Sequence, residues 1–264
     1  MDLKLQGKVA FISGSTAGIG FAIAHSLLKE GVKVIINGRA ERGVADGVEK
    51  LKSLVKGADV SGLAADFGNA EEVNTLIKSL PDIDILINNA GIFEPKPFEE
   101  IPDEDWFRFF EVNVMSGIRL SRHLFPKMLK KNWGRIIFIS SESAVFIPDE
   151  MIHYGMTKTA QLAISRGLAE LSKNTGVTVN SILPGPTKSQ GVGTFIEDLA
   201  KAGNISVAEV EVDFFKNMRP TSLLQWFLSV VEIANTVTYY SSTLASGTNG
   251  AAIRVEGGLV RTIL

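Results

Sequence analysis

The run Lys8-Val9-Ala10-Phe11-Ile12-Ser13 is almost wholly apolar, breaks into a glycine-rich turn, and resumes as the amphipathic stretch FAIAHSLLKE. That change of period predicts a buried strand, a tight turn and a helix, with Gly31 ending the helix. The alternation then repeats. Val32 to Ile36 reads as a second strand, Glu41 to about Val55 as a charged helix, Leu63 to Asp66 as a third strand and Glu71 to Ser79 as a third helix. Ile83 to Ile87 is a fourth strand, closing on Asn88-Asn89-Ala90-Gly91. Pro102 to Trp106 opens a long helix, its proline and acids in the first turn where the helix dipole favours them. That helix is expected to run to about Lys131 with a kink at Pro126.

Arg135 to Ile139 is the next strand, Met151 to Asn174 a helix, and Val177 to Ile182 a strand closed by Pro184-Gly185-Pro186. A helix near Val231 to Ser241 and a strand from Ala251 to Val255 finish the chain before Glu256-Gly257-Gly258. Strands alternating with helices predict an α/β protein with a parallel sheet covered on both faces. From Thr187 to about Trp226 the period weakens. A segment that long without clear elements predicts a lid or binding insertion, in a chain that otherwise reads as one domain over residues 1–264.

Composition removes several function classes. The chain has 264 residues, 45% of them hydrophobic, enough for one large core. A net charge of -2 offers no electrostatic footprint for nucleic acid or an anionic membrane. Cysteine is absent, which excludes disulfides, thiolate metal sites and cysteine nucleophiles. The three histidines, His25, His123 and His153, fall on different elements, so no metal site is expected. With no apolar signal core and no run long enough to span a bilayer, the expectation is a soluble cytoplasmic protein.

The chemistry concentrates between Arg135 and Ala160. The strand there ends in Ser140 and Ser141; Tyr154 follows Ser141 by thirteen positions, and Lys158 stands at i, i+4 from Tyr154. Phenol and ammonium therefore share one helical face. A fixed cation favours a phenolate, so the pair suits a phenol that exchanges a proton near neutral pH. Gly14-Ser15-Thr16-Ala17-Gly18-Ile19-Gly20 lies between strand and helix, where glycines admit a tight turn and let backbone N–H groups approach a pyrophosphate. At the end of the second strand, where an acid would bind a ribose 2′-hydroxyl, Gly38 holds the place and Arg39 follows. An arginine there suits a 2′-phosphate, so NADP is expected over NAD, with NAD possible. Asp66 is expected either to accept from the adenine amino group or to cap the next helix.

Together, Gly14-x-x-x-Gly18-x-Gly20, Asn88-Asn89-Ala90-Gly91, Asn113, Ser141, Tyr154-x-x-x-Lys158 and Pro184-Gly185 resemble the short-chain dehydrogenase/reductase family, in its order and over nearly the whole chain. The resemblance implies a Rossmann-type doubly wound sheet of about seven parallel strands, a nicotinamide cofactor, a small carbonyl or alcohol substrate, and a homotetramer or homodimer. It implies a catalytic set of Asn113, Ser141, Tyr154 and Lys158. Tyr154 would give the proton to a carbonyl or take it from an alcohol, Lys158 would lower its pKa and bind the nicotinamide ribose, and Ser141 would hold the substrate oxygen. The spacing to the tyrosine favours Ser141 over Ser140. Asn113 would link Lys158 to solvent through a water. Cofactor contacts would come from Gly14, Ser15, Thr16, Gly18, Ile19, Gly20, Arg39, Asp66, Asn89, Ala90, Gly91, Tyr154, Lys158, Pro184, Gly185 and Thr187.

Phe93, Ser143 and His153 are candidates for the substrate pocket, His153 as a rim or interface residue rather than a second acid–base group. Phe195, Phe214, Phe215 and Met218 could pack on an apolar substrate or on the protein body. One departure from the family pattern is the unusually apolar stretch Gln225-Trp226-Phe227-Leu228-Ser229-Val230-Val231-Glu232, a candidate subunit contact or lid base. The expected activity is NADP-dependent reduction of a ketone or aldehyde, reversible to oxidation of a secondary alcohol. A nucleotide-sensing protein on the same fold is the alternative from another class; epimerisation or dehydration is a third, in relatives that are generally longer.

Overall fold

The computed structural model describes residues 1–263, the side chain of Phe195 excepted. In chain order the elements are β1 (Val9–Ile12), α1 (Gly18–Lys29), β2 (Lys33–Gly38), α2 (Glu41–Leu54), β3 (Val60–Ala64), α3 (Ala70–Ser79) and β4 (Ile85–Asn88). They continue with α4 (Asp103–Phe110), α5 (Ser116–Lys131), β5 (Gly134–Ile139), α6 (Ile152–Leu171) and β6 (Val177–Pro184). Last come α7 (Gln190–Gly203), α8 (Val207–Asp213), α9 (Val230–Tyr240) and β7 (Ala252–Val255). All seven strands form one parallel sheet in the order β3-β2-β1-β4-β5-β6-β7. That order reverses direction at β1 and β4, and a crevice at the carboxyl ends of those strands is where a doubly wound sheet takes its ligand.

Strand periodicity explains the two cores. Ala10, Ile12, Ile36, Ile87 and Ile137 point to one face and pack with α1, α2 and α9. Phe11, Ile35, Leu86, Ile136 and Phe138 point to the other and pack with α3, α5 and α6. Neighbouring strand residues alternate between the faces, so strands buried on both sides read as the continuous apolar runs seen in the sequence.

Three expectations need correction. The third strand lies at Val60–Ala64, not Leu63–Asp66: it is a sheet edge carrying Ser61 and Gly62, and its half-exposed pattern gives a weak signal. The long helix is interrupted at Glu111–Met115 by a π turn, while helix continues through Pro126. The stretch from Thr187 to Trp226 contains α7, α8 and a further π turn at Phe214–Met218. Its second helix announces itself by Ser206-Val207-Ala208-Glu209, a capping box in which Ser206 and Glu209 satisfy each other's backbone N–H.

Candidate functional site

Short polar side chains hold the turn after β1. The Ser13 hydroxyl accepts from the backbone N–H groups of Asn89 and Ala90, both at 2.9 Å. Asn89 returns its Nδ2 to the carbonyls of Ser13 and Gly14 at 3.0 and 2.7 Å. Asn37, unremarked in the sequence, accepts from the Gly14 N–H at 3.0 Å and donates to the Leu63 carbonyl at 3.1 Å. Gly14 and Gly18 both sit at φ +59°, and a Cβ on Gly20 would lie 2.6 Å from Asn89 Nδ2. These glycines are required by geometry. Ala17, at the N-cap of α1, brings no side-chain oxygen, so the first-turn N–H groups face the crevice without a side-chain acceptor. Ser15 points inward: it donates to the Ile12 carbonyl at 2.7 Å and accepts from Asn37 N.

Arg39 is exposed at the end of β2. A Cβ on the preceding Gly38 would stand 2.6 Å from Thr16 Cγ2, so a larger residue there would have to displace the Thr16 side chain. Asp66 accepts from the Gly68 N–H at 2.8 Å, and Asn69 rather than Asp66 caps α3.

Beyond the turn lies a cavity of about 240 Å³. Ile19, Asn89, Gly91, Ser141, Tyr154, Lys158, Pro184, Gly185 and Thr187 from the expected set meet there, with Phe93 and Ser143. Ser140 donates to the Lys158 carbonyl at 2.9 Å and so ties β5 to α6. Ser141 donates to Glu142 Oε2 at 2.6 Å and accepts from Ser143 N at 3.1 Å. Lys158 Nζ donates to the Ile139 carbonyl at 2.9 Å and lies 5.6 Å from the Tyr154 ring centre. Asn113, fully buried in the π turn, stands behind the cavity. Its amide accepts from Ile92 N at 2.8 Å and donates to Ile92 O and Thr157 Oγ1, both at 3.0 Å. Thr187 donates to the Gly185 carbonyl at 2.8 Å, and Gly185 lies against the Glu256 backbone, which a Cβ would approach to 2.6 Å.

Two carboxylates and a guanidinium that the sequence reading missed shape the electrostatics. Glu142 and Arg219 are buried, Glu150 is partly so, and all three line the cavity. Arg219 Nη2 donates to Glu150 at 2.8 Å, and its Nε stands 3.9 Å from Glu142. Burial raises the Glu142 pKa, against the lowering effects of the Ser141 hydrogen bond and Arg219. The Tyr154 phenol is also pushed up, first by desolvation and then by Glu142, with Ser141 opposing. Burial pushes Lys158 down to about 8, against the attraction of Glu142. In the protein alone, desolvation and the Glu142 charge act on Tyr154 in the direction opposite to the lowering expected from Lys158. A lone acid between two serines carries no sequence signal of burial, which is why it went unread.

Phe214 and Met218 line the cavity, while Phe215 is buried against Phe227, ring centres 5.0 Å apart. Phe227 also lines the cavity and stacks on Phe214 at 4.8 Å, so that residue of the atypical stretch belongs to the pocket; its neighbour Trp226 is exposed. Phe195 lies outside the described side chains. His153 does not reach the pocket. Its ring is fully buried, 4.0 Å from Phe109 and 5.9 Å from Trp106 between ring centres, and neither nitrogen has a partner.

Desolvation lowers the His153 pKa, so below about pH 6.5 the unfolded chain takes a proton that the folded protein declines. Stability is then lost as pH falls. His153→Phe is expected to flatten that acid-side loss and to raise stability by up to about 1 kcal/mol at pH 7. Urea midpoints at pH 7.5 and 5.5 check it; equal pH slopes in both proteins would refute the assignment.

The short chain dehydrogenase family profile matches residues 8–200. An uncharacterized oxidoreductase of Bacillus subtilis, YvaG, is 51% identical with all of both chains covered. The 3-oxoacyl-[acyl-carrier-protein] reductase FabG of Aquifex aeolicus is 31% identical, over 98% of this chain and 100% of its own. Among solved structures, the L-sorbose reductase of Gluconobacter frateurii, complexed with NADPH and L-sorbose, superposes with a TM-score of 0.93 at 30% identity, each chain covered completely.

Proposed function

The chain belongs to the short-chain dehydrogenase family of oxidoreductases, and from that premise we propose that it is an NADP-dependent reductase of a ketone or aldehyde. The observation that carries the reading is the convergence of Ser141, Tyr154 and Lys158 on one cavity beside the glycine turn. Tyr154 is the proton donor. Its raised pKa keeps the phenol protonated across the neutral range, the form that carbonyl reduction requires. Ser141 turns its hydroxyl from Glu142 to the substrate oxygen, stabilising charge as it develops. Asn113 acts indirectly by anchoring Ile92, and with it the Asn89–Gly91 segment at the cavity wall.

The crevice suits a dinucleotide. Gly14, Gly18 and the uncapped start of α1 form an anion cradle. Lys158 and Thr187 would hold the nicotinamide end, and a bound nicotinamide would supply the hydride. NADP rather than NAD is favoured by Arg39 with Gly38, which carries no carboxylate, before it, and the NADPH complex of the sorbose reductase points the same way. Arg39→Ala is expected to raise the Kd for NADPH about tenfold or more while leaving NADH within about twofold, the value of one charge-assisted phosphate contact. Equal losses for both would refute the preference.

The α7–α8 segment with its π turn is the substrate lid of a single-domain enzyme, supported by Phe214 and Met218 on the cavity wall. A panel of ketones and aldehydes, followed by NADPH absorbance and repeated with NADH, tests the activity. Consumption of NADPH with at least one carbonyl supports it; binding of NADPH without turnover of any would favour a sensor.

A further inference from the structure

Lys158 and the π turn are joined by a residue outside the expected set. Gln161 is buried, one turn beyond Lys158 at i, i+3. Its Nε2 donates to the Asn113 main-chain carbonyl at 2.6 Å, and its Oε1 accepts from Lys158 Nζ at 3.4 Å. Chemistry fixes the amide's direction. A carbonyl can only accept and an ammonium can only donate, so a flipped carboxamide would meet like with like at both ends. The π turn supplies the anchor, because widened turns release carbonyls from the regular helical ladder.

We infer that Gln161 is a positioning residue, whose carboxamide fixes Lys158 between β5 and the π turn and favours its charged form. The ammonium is buried, and the Ile139 carbonyl and Gln161 Oε1 are its neutral acceptors among the described residues. An acceptor on the charged form opposes the desolvation that would discharge it. The charged and titratable groups near Lys158 are Tyr154 on its own helix and Glu142 after β5, with Arg219 and Glu150 paired behind Glu142. None of these bonds to Lys158, so Gln161 is the side chain that sets its station. The bridge also occupies the Asn113 carbonyl with an amide N–H. A protein bridge therefore joins the Asn113 carbonyl to Lys158 directly.

The consequence for catalysis rests on the reductase reading; the titration of Lys158 does not. With lysine labelled by ¹³C at Cε and the Lys158 resonance assigned from Lys158→Arg, a pH titration by NMR should give a wild-type midpoint near 8. Gln161→Leu should lower that midpoint by about one pH unit, a tenfold rise in acidity, and Gln161→Glu should raise it. Gln161→Met serves if the leucine variant does not fold. Opposite shifts from the two substitutions support the inference, since a general loosening would move both the same way. A leucine or methionine midpoint within about 0.3 pH unit of wild type, or shifts of one sign in both variants, would overturn it. In turnover, the alkaline limb of kcat/KM for reduction should follow the lysine midpoint. Opposite midpoint shifts in a protein that reduces no carbonyl would uphold the inference and remove the reductase reading instead.

Discussion

Tyr154→Phe is expected to lower kcat for carbonyl reduction by about 10²–10⁴-fold, the range supplied by a positioned general acid, while the Kd for NADPH changes by no more than about threefold. The substitution removes one oxygen and keeps the ring, so the edge-on contact with Phe93, 6.4 Å between centres, survives. On the proposed reading the phenol serves as the acid because it is held protonated: desolvation raises its pKa, and the Glu142 charge raises it further. Reduction by the wild type should therefore not fall through loss of the Tyr154 proton anywhere in the neutral range. Alcohol oxidation needs the same phenol deprotonated, so its rate should climb with pH into the alkaline range. Stopped-flow reduction and fluorescence titration of NADPH separate chemistry from binding. A phenylalanine variant that keeps a tenth or more of wild-type kcat would remove Tyr154 from the acid role.

The fold was legible where strands are buried on both faces. Val9–Ile12, Ile85–Asn88 and Gly134–Ile139 each hold an unbroken apolar run of three or more residues, and their order follows from the alternation with helices. Legibility failed at the edge strand Val60–Ala64, where one face meets solvent and Gly62 interrupts the run. The π turn at Glu111–Met115 was invisible because its residues keep helical composition and the break is only in hydrogen-bond register. In the site, residues with fixed spacing could be read: Tyr154 and Lys158 share a face because i, i+4 is helical geometry. Glu142, Arg219 and Gln161 could not, because their significance is tertiary. Glu142 becomes unusual only when β5 ends inside the pocket, and Arg219 only when the Phe214–Met218 turn carries it back over Glu150. The inward turn of Ser15 is of the same kind, a hydroxyl on the glycine turn spent on Ile12 and Asn37.

Arg219→Met is expected to destabilise the protein by about 3 kcal/mol at pH 8, with a smaller loss at pH 5. The guanidinium is buried and bridges two carboxylates, at 2.8 Å to Glu150 and 3.9 Å to Glu142; its Nη1 donates to the Met218 carbonyl at 2.9 Å. Methionine fills much of the volume but takes from buried Glu142 the guanidinium that opposes its desolvation. Glu142 already has a folded pKa above its unfolded value, since desolvation outweighs Arg219 and Ser141. A group raised in this way contributes stability that is fully present below the unfolded carboxylate pKa, near 4.3, and is lost as pH rises through the folded value. Removing Arg219 raises the folded value further, so the variant's deficit should widen from pH 5 to pH 8. Adding Glu142→Gln, which keeps the shape and a hydrogen-bonding amide but no charge, should recover most of the loss at pH 8 and little at pH 5. Urea midpoints of the three proteins at both pH values decide it. A single variant as stable as wild type at pH 8, or a double variant no better than the single, would show that Glu142 does not depend on Arg219 for compensation.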